Sequence, residues 1–265
     1  MNGLASINVE LTSHCSKSCW MCGRRKLSND TIDAGNMPLP MVKKIARQVP
    51  AGVTVQLHNN GDPLCYPHLK SAIRAFNHCV TGFNTNAKLL TDKADDIKNL
   101  DALTISIIPE DPEGEDQLLK VQSYLELDIE KPKMIIFRFL GDTEKIKHYK
   151  AFIRLAEEHG CFLAFRQLHA PAGSFEYESG VTMPEMGICL EMLHKLSIDR
   201  YGNVSPCVRF DPYNQHVLGN LDTLSLQQIW NGTDRKKMIR HHLQGRRDLA
   251  DIICASCHFY GIPRG

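Results

Sequence analysis

The chain reads as an α/β protein, a partial (β/α)6 barrel followed by a small C-terminal unit built around cysteines. Three observations lead to this. From residue 5 to about 170, short β-rich runs alternate with amphipathic helical stretches. The alternation gives six strands, too few to close an eight-stranded barrel. Nearly all the clustered cysteines then fall in two places, the loop after the first strand and the region beyond residue 188.

The first strand is Ser6-Ile7-Asn8-Val9-Glu10-Leu11, and the first cysteine group follows it directly. Residues 38–49 place Leu39, Val42, Ile45 and Val49 on one helical face. A second strand over 53–57 closes on Asn59-Asn60-Gly61-Asp62-Pro63, and residues 68–76 return as a helix with Leu69, Ile73 and Phe76 aligned. The third strand, 80–83, runs into Asn84-Thr85-Asn86-Ala87, after which Thr91-Asp92 is expected to cap the next helix. Strand four spans 102–108, with a helix over 117–125, and strand five spans 133–140. Residues 143–159 form one helix by periodicity, with Ile146, Tyr149, Phe152, Ile153 and Ala156 on one side and Gly160 as its stop. The sixth strand is 161–168. Such alternation implies parallel strands with right-handed crossovers, and ligands in these folds gather at the carboxyl ends of strands.

Residues 171–188 lose periodicity and read as a linker, which divides the chain into 1–170, 171–188 and 189–265. Beyond the linker, residues 195–199 and 204–208 flank Arg200-Tyr201-Gly202-Asn203 as a hairpin. Residues 225–243 read as helix, with Gly232 a candidate break.

With 31 basic and 30 acidic residues in 265, nothing points to a nucleic-acid surface, and Arg235-Lys236-Lys237 reads as a solvated helix face. No apolar stretch has the length to cross a bilayer, and the N-terminus shows no signal pattern, so a cytoplasmic location is expected. In that compartment ten cysteines are ligands sooner than disulfides.

Cys15, Cys19 and Cys22 stand at the spacing C-x3-C-x2-C. Three soft ligands from one loop can hold three corners of an iron–sulfur cube and leave the fourth iron open for something other than protein. A zinc knuckle completed by His14 or Cys65 is the alternative. The second group, Cys189, Cys207, Cys254 and Cys257, suits structural zinc or a second iron–sulfur cluster equally well on spacing alone.

The first motif and its place after a first strand resemble the radical S-adenosylmethionine (SAM) enzymes. The second group resembles the auxiliary-cluster module (twitch) of their SPASM subgroup. It carries this through Gly187-Ile188-Cys189, Gly202-Asn203-Val204-Ser205-Pro206-Cys207, Leu218-Gly219-Asn220-Leu221, Ile229-Trp230 and Cys254-Ala255-Ser256-Cys257. The order of these motifs is that of aminocyclitol dehydrogenases in the subgroup. The resemblance implies a radical-SAM partial barrel, SAM as cofactor and two [4Fe–4S] clusters. Cys15, Cys19 and Cys22 would hold the SAM cluster, and Cys189, Cys207, Cys254 and Cys257 the auxiliary one. In that family SAM bound to the open iron is cleaved reductively to a 5′-deoxyadenosyl radical that takes a hydrogen atom from substrate carbon.

By the same resemblance, SAM contacts fall on Met21, Gly61, Asp62, Asn86, Ser106 and Arg138. Glycine at 61 permits close backbone approach. Asp62 stands where the family has glutamate, which leaves a backbone role intact and a side-chain role in doubt. Met21 replaces a residue that is usually aromatic. Arg166 in strand six and His169 just after it are the candidate catalytic residues, positioning a substrate hydroxyl or taking its proton. The implied reaction is oxidation of a secondary alcohol on an aminocyclitol or sugar-like small molecule, with the auxiliary cluster accepting the electron. Epimerisation would instead need a thiol near the open end. Cys79 and Cys161 open their strands at the closed end, and Cys65 is the one spare cysteine near the opening. Peptide modification is a further alternative, and a two-zinc scaffold is the non-enzymatic one. The expected reductant is a flavodoxin or ferredoxin.

Overall fold

The computed structural model describes residues 1–23, 34–168, 189–208, 215–255 and 257. Six strands form the barrel sheet: β1 (Ser6–Val9), β2 (Thr54–Gln56), β3 (Val80–Thr85), β4 (Ala102–Ile107), β5 (Met134–Leu140) and β6 (Phe162–Arg166). Each pairs in parallel with its sequence neighbour, in the order β6-β5-β4-β3-β2-β1. A sheet wound always in one direction puts its crossover helices on one face and leaves the other free. Strand alternation follows that division. Ile7, Val9, Val55, Phe83, Leu103, Ile105, Phe137 and Phe139 are all buried on the helix side. Asn8, Gln56, Asn84, Thr104, Ser106, Arg138 and Arg166 alternate with them and share the opposite, polar face.

Helices α1 (Leu39–Ala46), α2 (Leu69–Ala75), α3 (Ala94–Ile97), α4 (Gly114–Glu126) and α5 (Tyr149–Glu158) cover the apolar side. Phe152 of α5 meets Phe137 edge-on at 6.2 Å between ring centres, and Tyr149 meets Phe139 in the same way at 5.2 Å.

The helix expected over residues 143–159 is divided. A 3-10 turn at Thr143–Lys145 is closed by the Asp142 carboxylate, which accepts from Glu144 N–H at 2.9 Å. Lys145 C=O then accepts from Glu110 N–H across the barrel mouth, and His148 takes a left-handed conformation before α5 begins. A tertiary hydrogen bond thus overrides helical periodicity. Thr91 likewise does not cap a helix: residues 87–93 turn on themselves, and α3 starts at Ala94 with no side-chain cap.

Beyond residue 188, α6 (Leu190–His194) leads into β7 (Lys195–Ile198), then β8 (Asn203–Ser205) and β9 (Gly219–Asn220). The expected hairpin is β7–β8. It is not a separate sheet, because β7 pairs in parallel with β1 and continues the barrel sheet to nine strands. Helices α7 (Leu226–Trp230) and α8 (Thr233–Leu243) are separated at Gly232, as the sequence suggests. Arg235 anchors this end: its guanidinium lies 3.5 Å from the centre of the Trp230 ring and donates to the carbonyls of Trp230, Met192 and Leu193. Two short helices, α9 (Arg247–Ala250) and α10 (Ile252–Ala255), bring in the final cysteines. Among the described residues no helix is long and apolar enough to cross a membrane.

Candidate active site

The loop after β1 carries Cys15, Cys19 and Cys22, all partly buried. Burial, with the neighbouring Cys15 sulfur, pushes the Cys19 thiol up to about 11. The three thiols are close enough to oppose one another's ionisation, as ligands awaiting a shared cationic centre do. Their donor set fits three corners of an iron–sulfur cube.

Two neighbouring loops hold this one in shape. Gly61, after β2, packs its α-carbon onto the backbone of the cysteine loop. A Cβ there would fall inside contact distance of the Thr12 carbonyl oxygen and 2.7 Å from that of His14. Asp62 N–H donates to the same His14 carbonyl at 2.8 Å. The Asp62 carboxylate is buried and turned inward. It accepts from Leu64 N–H, from the Thr85 hydroxyl and from Asn86 N–H at 2.8–3.0 Å. Its side chain is therefore a brace between the ends of β2 and β3, which leaves only backbone groups at this position to face a ligand.

Asn86 continues the brace. Its side-chain amide donates to Cys15 Sγ at 3.5 Å and to Ser16 Oγ at 3.4 Å, and its carbonyl accepts from Gln117. Met21 lies partly buried in the cysteine loop.

The loop also holds a buried ion pair that no local sequence signal marks. Lys17 Nζ lies 2.6 Å from Asp111 Oδ2, with both side chains at 6% exposure or less. Trp20 Nε1 donates to Pro109 C=O at 3.1 Å beside it. These contacts fasten the cysteine loop to the end of β4, and no sequence spacing joins residues so far apart. Breaking a buried pair from one side strands the other charge. Lys17→Met is expected to cost about 3–5 kcal/mol in urea unfolding, and Lys17→Met with Asp111→Leu to recover most of it.

Across the polar face, Ser106 of β4 stands in register with Arg138 of β5, and Arg166 of β6 lies beside Leu140, on the same face as Arg138. Burial and then the charge of Arg166 lower the Arg138 pKa, so the two guanidiniums sense each other. Arg138 Nε is buried and has no hydrogen-bond partner among the described residues. The Arg138 charge also reaches His58 beyond β2; with burial as the larger cause, it lowers that imidazole to about 3. Three strand spacings separate β2 from β5, roughly 14 Å on a flat sheet. His169 lies outside the described residues. Cys79 donates to Pro50 C=O at the closed end, where Cys161 also precedes its strand.

Glu10, one residue past β1, is a second group that the sequence did not single out. It is buried, and accepts from Asn60 N–H and from the Asn60 side chain at 2.7 Å. Burial raises its carboxyl from 4.5 to about 7. Between those values the folded state holds a proton that the unfolded chain has released, so stability is full below 4.5 and declines as pH rises through 7. The expected loss is about 3 kcal/mol. Between pH 5 and 8 the parent should lose more stability than Glu10→Gln, the difference between the two profiles approaching about 3 kcal/mol.

The second cysteine group also converges. Cys189 precedes α6, Cys207 follows β8, Cys254 lies in α10, and Cys257 N–H donates to Cys254 C=O. Burial raises the Cys254 thiol, and Cys207, Cys257 and Cys189 each add to the shift. Among the described residues no three of these or other ligand side chains gather about a single-ion position. Four thiolates can serve one corner iron each. The donor set fits the cube.

Residues 189–258 match the family model of the SPASM iron–sulfur cluster-binding domain. Over 270 aligned residues the chain is 22% identical to the S-adenosyl-L-methionine-dependent 2-deoxy-scyllo-inosamine dehydrogenase of Niallia circulans, covering 95% of this chain and 92% of that enzyme. The structure of BtrN in complex with AdoMet and 2-DOIA superposes with a TM-score of 0.62 at 18% identity, over 96% of this chain and 93% of BtrN. Streptococcus suis SuiB bound to precursor peptide SuiA gives a TM-score of 0.57 at 15% identity, over 87% of this chain and 65% of SuiB. At such identities the structural likeness speaks to fold, and the fold is that expected from the alternating strands and helices. The chain thus shares the fold of BtrN and SuiB, and its residues 189–258 match the SPASM iron–sulfur cluster-binding model.

Proposed function

We propose that the protein is a radical SAM dehydrogenase that oxidises a secondary alcohol on a small molecule. The observation that carries this is the placement of three clustered thiols just past β1, in a sheet whose polar face carries Arg138 and Arg166. SAM bound at a three-cysteine cluster would supply a hydrogen-abstracting radical, and an auxiliary cluster on Cys189, Cys207, Cys254 and Cys257 an acceptor for the remaining electron. The chain's own residues have narrower tasks. The backbone at Gly61 and Asp62, with Met21, Asn86 and Ser106, shapes the SAM pocket. Arg138 offers its buried guanidinium to a carboxylate or hydroxyl oxygen. Arg166 orients the substrate hydroxyl, and His169 is the candidate group to take its proton. A flavodoxin or ferredoxin is the proposed reductant.

The likeness to the 2-deoxy-scyllo-inosamine dehydrogenase makes aminocyclitols the first substrates to try. Anaerobic reaction of such an alcohol, deuterated at the carbinol carbon, should place deuterium in deoxyadenosine and yield a ketone. Solvent deuterium in an unoxidised product would replace this reading with epimerisation. The likeness to SuiB supports a second reading, in which the substrate is a peptide.

A further inference from the structure

One histidine beside the auxiliary cysteines is not explained by ligand spacing. His216 is 3% exposed, and its Nε2 lies 3.6 Å from Cys207 Sγ. Its Nδ1 is 2.7 Å from Asp251 Oδ1, itself mostly buried. The same Asp251 oxygen accepts from Ile253 N–H at 2.8 Å, at the start of the helix that carries Cys254. A chain of contacts therefore runs from one ligand segment to the other: Cys207 sulfur, imidazole, carboxylate, helix N-terminus, Cys254. Both neighbours are acceptors, a carboxylate oxygen at Nδ1 and a thiolate at Nε2, so the arrangement calls for an N–H on each ring nitrogen, an imidazolium.

We infer that His216 is a positioning residue for the auxiliary cluster, donating Nε2–H to the Cys207 thiolate and so raising that cluster's reduction potential. This rests on the reading that Cys189, Cys207, Cys254 and Cys257 hold a [4Fe–4S] cluster. The physical basis is general. A hydrogen bond to a ligating sulfur withdraws charge from it, which favours the more negative, reduced state, and partners outside the ligand set fix both geometry and electronics. Asp251 serves the same end by fixing the imidazole orientation. A cluster tuned upward in this way accepts an electron more readily, as an oxidising reaction requires.

The test is a redox titration of the reconstituted two-cluster protein followed by EPR, with the SAM-sensitive signal as internal control. Iron content is measured first. His216→Leu should keep its iron and move the auxiliary midpoint to more negative potential, leaving the SAM-sensitive signal in place. His216→Gln, which can return an N–H near the Nε2 position, should restore most of the parent midpoint. An unchanged midpoint in His216→Leu overturns the inference. So does an equal shift in both variants, or loss of about four irons from His216→Leu, which would make the residue a scaffold element. If the parent protein itself assembles only one cluster, the four-thiolate reading fails first and the inference with it.

Discussion

Gly61→Ala is expected to detach the cysteine loop from the barrel. The added methyl carbon would meet two backbone carbonyl oxygens, Thr12 and His14, neither of which is the movable end of a side chain. The two loops must separate, and Asp62 N–H then loses its 2.8 Å contact with the His14 carbonyl. Forced overpacking of this kind costs about 3 kcal/mol, here concentrated on the segment that presents three thiols. The variant should bind roughly four irons instead of about eight, since the auxiliary site lies elsewhere, and its unfolding midpoint should drop. Parent-like iron content in Gly61→Ala would show that the close approach is not needed to assemble the site.

The second large effect is expected of Cys19→Ala. A cube held by two thiolates has two open irons and loses its protection against disassembly, so the variant should retain only the auxiliary cluster, about four irons per chain. Reductive SAM cleavage should fall to background, while the EPR signal of the remaining cluster stays as in the parent. Cys257→Ala should show the converse pattern, with the SAM-sensitive signal surviving. Equal losses in both variants would mean that the two groups serve one centre.

Much of this architecture is legible in the order of residues, for physical reasons. The strands β1 to β6 are short apolar runs, and β1, β2, β3 and β5 lead into Gly, Asn or the cysteine loop, so their number and most of their open ends can be read. The break at Gly232 and the β7–β8 hairpin are equally local. What cannot be read is set by contacts distant in sequence. The division near residue 146 depends on Glu110 meeting Lys145. The union of β7 with β1, which makes one sheet of two expected units, has no local signal at all.

The site divides along the same line. The cysteine spacings are visible because one loop or one short helix supplies neighbouring ligands. The Lys17–Asp111 pair and the His216–Asp251 contact join loops that only folding brings together. Asp62 shows a subtler case. Its position beside the cysteine loop follows from the motif, yet its inward turn depends on Thr85 and Asn86 offering a hydroxyl and an N–H from β3 and its exit. His169 and the linker expected over 171–188 lie outside the described residues.

The most direct measurement is the fate of SAM itself. Oxygen-free, iron-reconstituted protein is mixed with SAM and dithionite, and the products are separated by chromatography. A cube with one iron free of protein thiolate predicts methionine and 5′-deoxyadenosine in equal amounts, and neither from the Cys15, Cys19 or Cys22 alanine variants. Intact SAM after prolonged reduction of protein that holds about eight irons would contradict the account at its root.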